Sequence, residues 1–546
     1  MTSNYNYGKF FVFIFFLIYL LIGVFTYKDY GVNIEEQTQL YSGFFWLSYI
    51  VDFFSFGELK LKTINYLSYL EDKSLPSPEI YGPIFDVPTA FIDIFFNFDG
   101  RIYNYEYRHL IIFLIFFFSS ICVYQIFLDR FNSTFLSIFG TSLYIFSPRI
   151  YGDSFHNNKD ILFLSLVVFS IYFIFKIFDK RKIKYIFLFS IFSALATSTR
   201  VMGIFLPTSL ILFLILENKK GTLKKNIKFI ILIILTYCIF LYLHWPYLWE
   251  NPIVNLIEFI KKSKNWIYSY YILFNGKYFL TTNLPDSFIF TWIGITTPII
   301  NLLFFFLGYY FILKRVFKRF ISIKEYTSLN NDFWRGGSEK KDFYIFLSIS
   351  FLILILLSLN VSLVSGWRHL YFLNFFIVYI AIFYVKIILL LFRNKSKKIL
   401  YGLLTLLLLP AINKIIVLHP FQSLYFNELL ADKKKNEFLV DRDGLTSLDS
   451  FKKIISIEEK KEIINLANAS FLPYYRIAKS LKIDQQKKLN FTGTDYNNAD
   501  YIFNNFVYEV DPKYNNKYKI PDNFRLVYSL EIDGIKMYEL YKKKEH

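Results

Sequence analysis

From residue 110 to residue 418 the chain alternates long apolar runs with short polar, charged breaks. The runs occupy residues 110–128, 135–146, 161–178, 185–196, 201–216, 229–243, 288–313, 343–364, 370–391 and 400–418, and an eleventh lies at 10–25. A bilayer-crossing helix needs about 20 apolar residues, so this pattern predicts about eleven membrane spans, several of them short. The run at 10–25 follows a single Lys9 and has no small-residue cleavage signature after it, so it reads as a retained first helix. After His419 the long runs stop. Short alternating segments at 488–492, 501–503 and 524–530 read as strands, and 448–455 and 472–481 as helices. The pattern therefore predicts an α-helical polytopic membrane domain, residues 1–426, followed by a small α/β domain, residues 427–546, on the outer side.

The breaks between runs carry charge in alternation. Lys180, Arg181, Lys182 and Lys184 crowd one; Lys219, Lys220, Lys224, Lys225 and Lys228 another; Lys314, Arg315, Lys318 and Arg319 a third; Arg393, Lys395, Lys397 and Lys398 a fourth. Basic loops stay on the cytoplasmic side, which puts the N-terminus in the cytoplasm and the intervening segments outside the plasma membrane. Those outer segments are 28–109, 147–160, 197–200, 244–286, 365–369 and everything after 418. Residues 28–109 are too long for a hairpin. Within them 58–70 has the spacing of a helix lying in the interface, and the stretch from Tyr81, broken by Pro83, Asp86, Pro88 and Asp93, reads as interfacial or re-entrant. All six histidines, His109, His156, His244, His369, His419 and His546, fall on the outer side.

Composition sharpens this reading. With 55% apolar and 22% aromatic residues in 546, a soluble globule is excluded. The net charge of +18 comes from short clusters between apolar runs, as membrane topology requires, which argues against a nucleic-acid partner. Cys122 and Cys238 both lie inside apolar runs, so no disulfide framework is implied.

The densest chemistry lies in SPRIYGDSFHNNKD, residues 147–160, which reads as a short outer loop between two spans. It gathers Arg149, Asp153, His156, Asn157, Lys159 and Asp160 at a membrane surface, where ionisable groups are functional candidates by default. Glu35 and Glu36 follow the first span and offer a general base. Arg149, Lys159, Arg200, Arg368 and His369 share the same face and suit a phosphate, while His244 and His419 stand at further helix mouths. His156 with Asp153 offers a divalent cation two ligands, too few to define a site, so metal dependence stays open. Zinc-protease, nucleotide-binding and serine-hydrolase motifs do not occur.

These motifs, together with the step Thr199–Gly203, HWPYLWENP from His244, LFNGKYF from Leu273, GWRHLYF from Gly366 and HPFQSLYFN from His419, resemble the GT-C superfamily of polytopic glycosyltransferases. The branch they resemble contains the protein O-mannosyltransferases and the transferases that add aminoarabinose to lipid A. The resemblance runs over most of residues 31–427. It implies inverting transfer of a sugar from a polyprenyl-monophosphate donor, set among membrane lipids, to a lipid, glycan or protein acceptor on the outer side. It also implies an acidic base in the first outer loop, Glu35 or Glu36, and a second carboxylate, Asp160. Two other classes remain: a transporter or flippase of lipid or sugar, which would show mid-membrane charges or repeated halves, and a non-catalytic envelope-assembly protein.

Overall fold

The computed structural model describes residues 2–70, 81–97, 102–217, 223–264, 270–321, 333–358, 366–392, 394–441, 443–471 and 474–544. Parts of the long first segment, Lys219, Lys220, Ser365, Arg393 and His546 lie outside the described residues.

The chain is mostly helical. After α1 (Thr2–Thr26), the polar segment folds into α2 (Ile34–Phe53), α3 (Gly57–Leu70) and α4 (Asp86–Phe95). Asn33 caps α2: its side chain accepts the Glu35 N–H, and the Glu36 carboxylate accepts the Asn33 N–H in return. Phe53, Phe54, Phe56, Leu61, Ile64, Phe91, Phe95 and Phe96 remain exposed on and next to these three helices. The chain continues with α5 (Ile102–Phe131), α6 (Thr134–Ile145), the short polar α7 (Pro148–His156), α8 (Asp160–Lys180), α9 (Ile183–Thr199), α10 (Phe205–Leu216) and α11 (Leu223–His244). Next, α12 (Pro252–Lys264) and a hairpin, β1 (Tyr271–Phe274) and β2 (Lys277–Leu280), turn through Asn275 and Gly276, both at positive φ. The helices resume with α13 (Phe288–Thr296), α14 (Ile299–Ile321), α15 (Gly337–Ser358), α16 (Leu373–Leu391), α17 (Asn394–Leu406) and α18 (Leu409–Val417).

Among the described residues, eight helices are long and apolar enough to cross a membrane, and three shorter apolar helices, Thr134–Ile145, Ile183–Thr199 and Val201–Leu216, stand among them. Each of the eleven expected runs falls on one of these. Two runs are broken where proline interrupts helical hydrogen bonding: 288–313 at Pro298 and 400–418 near Pro410. The expected loop at 147–160 is the larger departure, because most of it is the helix α7. Pro148 opens that helix, and its buried Arg149 and Asp153 find partners within the protein, the Tyr425 carbonyl and the Asn157 amide.

α8 runs from Asp160 to Lys180, a rise of roughly 30 Å at 1.5 Å per residue, so its two ends carry different chemistry. At the Lys180 end, basic residues meet acids. The Asp342 carboxylate, fully buried, accepts from Arg130 Nε and Nη2 at 2.7 and 2.6 Å, from Arg315 Nη1 and Nη2 at 3.2 Å each and from Tyr379 at 3.1 Å. Lys341 pairs with Asp179 at 2.7 Å, and Glu217 takes both Arg181 and Lys340. The other end of α8 opens onto the tail.

Asn427 fastens the tail to the membrane helices, its amide donating to the carbonyls of Gly294 and Thr297 at 2.7 Å each. Beyond it lie α19 (Ser447–Ile457), β3 (Ile464–Asn468), α20 (Tyr474–Ala478), α21 (Ile483–Lys487), β4 (Leu489–Gly493), β5 (Tyr501–Asn504), β6 (Phe524–Ile532) and β7 (Ile535–Lys543). The five strands form one sheet in the order β4-β3-β5-β7-β6, with β3 parallel to β4 and β5 and the other pairings antiparallel. The tail is thus the small α/β unit expected, with β3 and β7 added to the strands read from the sequence.

Candidate active site

The site is built where α2, the α7–α8 junction and the turn before α16 converge beneath the tail. Glu35 and Glu36 occupy the first turn of α2, and successive helical residues diverge by about 100°. Glu36 turns inward. Its carboxylate accepts the Asn33 N–H at 2.7 Å and pairs with His109 Nε2 at 2.8 Å, and both side chains are buried. Glu35 turns the other way and pairs with Arg368 while keeping its side chain 33% exposed. The two neighbouring carboxylates, between which the choice of base is open in the sequence, therefore differ in access.

Arg368 sits in the tight turn Arg368–Leu370 and is the hub of the cluster. Nη2 pairs with Glu35, Nη1 with Asp443 Oδ2 at 2.9 Å, and Nε faces Asp160 Oδ2 at 3.7 Å. Burial opposes its charge, but Asp443, Glu35 and Asp160 together outweigh burial and hold the guanidinium well above its ordinary value. Asp160, in the first turn of α8, is only 1% exposed and is saturated by neighbours. It pairs with Arg200, accepts from Asn157 Nδ2 at 3.0 Å, and its own N–H donates to Asn157 Oδ1 at 2.9 Å. Asn157 also reaches Asp153 Oδ2 at 3.3 Å, and His156 Nε2 lies 3.6 Å from Asp153 Oδ1. One amide thus couples the two aspartates.

The remaining cations differ in how they are held. The Lys159 ammonium lies 3.6 Å from the centre of the Tyr81 ring, and burial lowers it to about 8. His369 is lowered to about 3 by burial and by Arg200, so its imidazole is neutral at physiological pH. Burial lowers His156 to about 3 as well, and raises Asp153 to about 7. Tyr81, under the Lys159 ammonium, thus stands beside the same cluster.

Three expected site residues stand apart from this cluster. Arg149 donates from Nε to the Tyr425 carbonyl at 2.8 Å and is flanked by the rings of Trp292 and Phe426, at 5.0 and 4.9 Å. His244 bonds Ser198 at 2.7 Å and the Phe240 carbonyl at 2.5 Å. His419 bonds Asp29 at 3.0 Å and Gln422 at 3.2 Å. Among the described residues no group of three or more His, Cys, Asp or Glu side chains is arranged to hold a metal ion. Sequence reasoning did not reach Asp443 or Tyr81. Asp443 stands 75 residues after Arg368 in a different part of the chain, and no local pattern ties the two.

The family model for dolichyl-phosphate-mannose-protein mannosyltransferase matches residues 94–245. That segment contains His109, the whole of 147–160, Arg200 and His244, so the resemblance read from the motifs is borne out over it. Among solved structures, ArnT from Cupriavidus metallidurans, crystallised bound to undecaprenyl phosphate, is similar at 11% identity and a TM-score of 0.44, over 96% of this chain and 97% of that one. No curated protein is significantly similar to the chain. The chain is a multi-pass membrane protein whose resemblance to the GT-C glycosyltransferases rests on this family match.

Proposed function

We propose that the protein is an inverting glycosyltransferase that moves a sugar from a polyprenyl-monophosphate donor to a hydroxyl or phosphate acceptor on the outer face of the plasma membrane. One observation carries this reading: Glu35, partly exposed, opens onto a site that also holds the cations Arg368, Arg200 and Lys159. A base and a set of phosphate-binding cations are what displacement at an anomeric carbon needs. The acceptor oxygen loses its proton to Glu35 and bonds to the anomeric carbon. The bond from that carbon to the phosphate oxygen breaks, and its electron pair leaves with the phosphate, whose growing charge Lys159, Arg200 and Arg368 stabilise. In this reading Asp160 positions Arg200 and Arg368, since its own lone pairs are occupied. The N-terminus and the basic end of α8 face the cytoplasm; the site and the tail, residues 427–546, face outward.

The test is transfer in vitro from a defined polyprenyl-phosphate sugar. Transfer is expected with wild-type protein, and Lys159→Met is expected to raise the KM for the donor by about 10-fold or more, the worth of one hydrogen bond to a charged group. Absence of transfer across a panel of donors and acceptors, with donor analogue bound, would return the chain to a binding or assembly role.

A further inference from the structure

Arg368 has more anions than it can neutralise. Glu35, Asp160 and Asp443 all face it, and Arg200 shares Asp160 with it. Two of these acids belong to the membrane domain and have fixed seats. Asp160 is held by Arg200 and by Asn157 from two sides, and Glu35 rides on a capped helix. The third is delivered by the tail. Its loop is anchored at Asp441, whose carboxylate accepts from Thr446 Oγ1 at 2.5 Å and whose carbonyl accepts from Asn505 Nδ2 at 3.2 Å and the Gly444 N–H at 3.2 Å. From that anchor Asp443 reaches out: its side chain takes Arg368, and its carbonyl accepts the Ile34 N–H at 3.0 Å, just before Glu35. The approach is close enough that a Cβ at Gly31 would lie 2.3 Å from the Leu445 carbonyl oxygen. Gly444, at φ +72°, makes the turn that aims Asp443 inward.

A phosphate needs two N–H groups of a guanidinium to bind in fork geometry, and here Nη1 and Nη2 are both taken. Adding it without removing a carboxylate would put a fourth anion beside Glu35, Asp160 and Asp443 in a largely buried site. We propose that Asp443 is a further residue of the active site, the resident anion on Arg368 that the donor's phosphate replaces, so that the tail and the lipid phosphate compete for one guanidinium. This rests on the reading of the site as a polyprenyl-phosphate site. It makes the tail a partner in donor binding: lipid phosphate on Arg368 loosens the 443–446 loop, and the docked loop weakens the lipid, by the same factor in each direction.

The experiment uses the full chain in detergent micelles with undecaprenyl monophosphate as probe. Asp443→Asn, which keeps shape and removes charge, is expected to bind the probe ~5-fold more tightly or better, since couplings between linked sites typically run from about 5-fold upward. Asp495→Asn, on the exposed tail surface, is expected to leave binding unchanged. Equal or weaker binding by folded Asp443→Asn overturns the proposal. On wild-type protein, hydrogen exchange is expected to quicken at Ile34 and Gly444 when the probe is saturating, and unchanged or slower exchange also overturns it, so the idea stays testable even if the variant fails to fold. Arg368→Gln separates the two readings. If it binds the probe as well as wild type, the phosphate site itself is misplaced; if it loses the probe while Asp443→Asn gains nothing, only the competition is wrong.

Discussion

Glu35→Gln removes one proton acceptor and little else, which makes it the sharpest probe of the mechanism. The amide keeps the size of the carboxylate and still offers Arg368 an oxygen, while Arg368 retains Asp443 at 2.9 Å and Asp160 at 3.7 Å. Glu35 is a third exposed, so the lost ion pair is worth ~1 kcal/mol or less, and folding and donor binding should persist. General-base loss costs about 100- to 10,000-fold in rate, equivalent to roughly 2.7–5.4 kcal/mol of transition-state stabilisation at about 1.36 kcal/mol per decade. The expected result is therefore a fall in kcat of at least 100-fold with a KM for the donor within a few-fold of wild type, measured by transfer of a radiolabelled sugar from a polyprenyl-phosphate donor. Glu36→Gln should behave differently. It disturbs the buried pair with His109 and the cap of α2, so it is expected to lower the melting temperature by an amount equivalent to ~1–2 kcal/mol, with kcat of the surviving protein reduced less. Near-normal turnover by Glu35→Gln would refute the assignment of the base. If Glu36→Gln were then inactive at normal stability, the base would be its neighbour.

Three further outcomes follow from the same geometry. Burial raises Asp153 from 3.8 to about 7, so the folded protein holds that proton more tightly than the unfolded chain and stability falls as pH rises through this window, by ~4 kcal/mol at most; the melting-temperature advantage of Asp153→Asn over wild type is expected to be larger at pH 8 than at pH 5, and a pH-independent difference would contradict it. Asp342→Ala leaves Arg130 and Arg315 facing each other without their shared carboxylate and is expected to cost about 3–5 kcal/mol, read as loss of folded protein in detergent, with no selective effect on the donor KM. In a background lacking Cys122 and Cys238, cysteines at exposed Lys184 and Asn497 are expected to label from opposite sides of the membrane, and same-side labelling would overturn the orientation.

The span pattern was legible because a bilayer demands a long, nearly uncharged helix, and that demand is written locally. Helices that answer to partners instead of lipid were harder to read. α2 carries Glu35, Glu36 and Gln37 at its start and falls within a segment that reads as polar, and α7 reads as a loop because its charged residues lie between apolar runs, although the fold buries them against groups such as Asn157 and the Tyr425 carbonyl. In the tail, β7 follows β6 through Asp533 and Gly534, both at positive φ, a two-residue turn of the Asp-Gly type that the sequence itself carries.

The site itself was legible as a set and illegible as a geometry. Charges that interrupt apolar runs must be satisfied or functional, and that argument gathers Asp160, Lys159, Arg200, Arg368 and His369, to which the resemblance adds Glu35; the fold brings these six to one place. It does not rank them, because a guanidinium in an aromatic slot and a guanidinium among carboxylates look alike in a sequence. Arg149 is in the first situation, flanked by Trp292 and Phe426 and fixed by a backbone carbonyl; Arg368 is in the second. Nor does it find a partner supplied across a long loop. Asp443 lies in a Gly-containing turn of ordinary appearance, and only the docking of the tail against Gly31 and Ile34 gives that carboxylate a guanidinium to meet. What the sequence withholds is therefore the pairing of charges, and the pairing is what separates the partly exposed Glu35 carboxylate from the buried Asp160 held between two arginines.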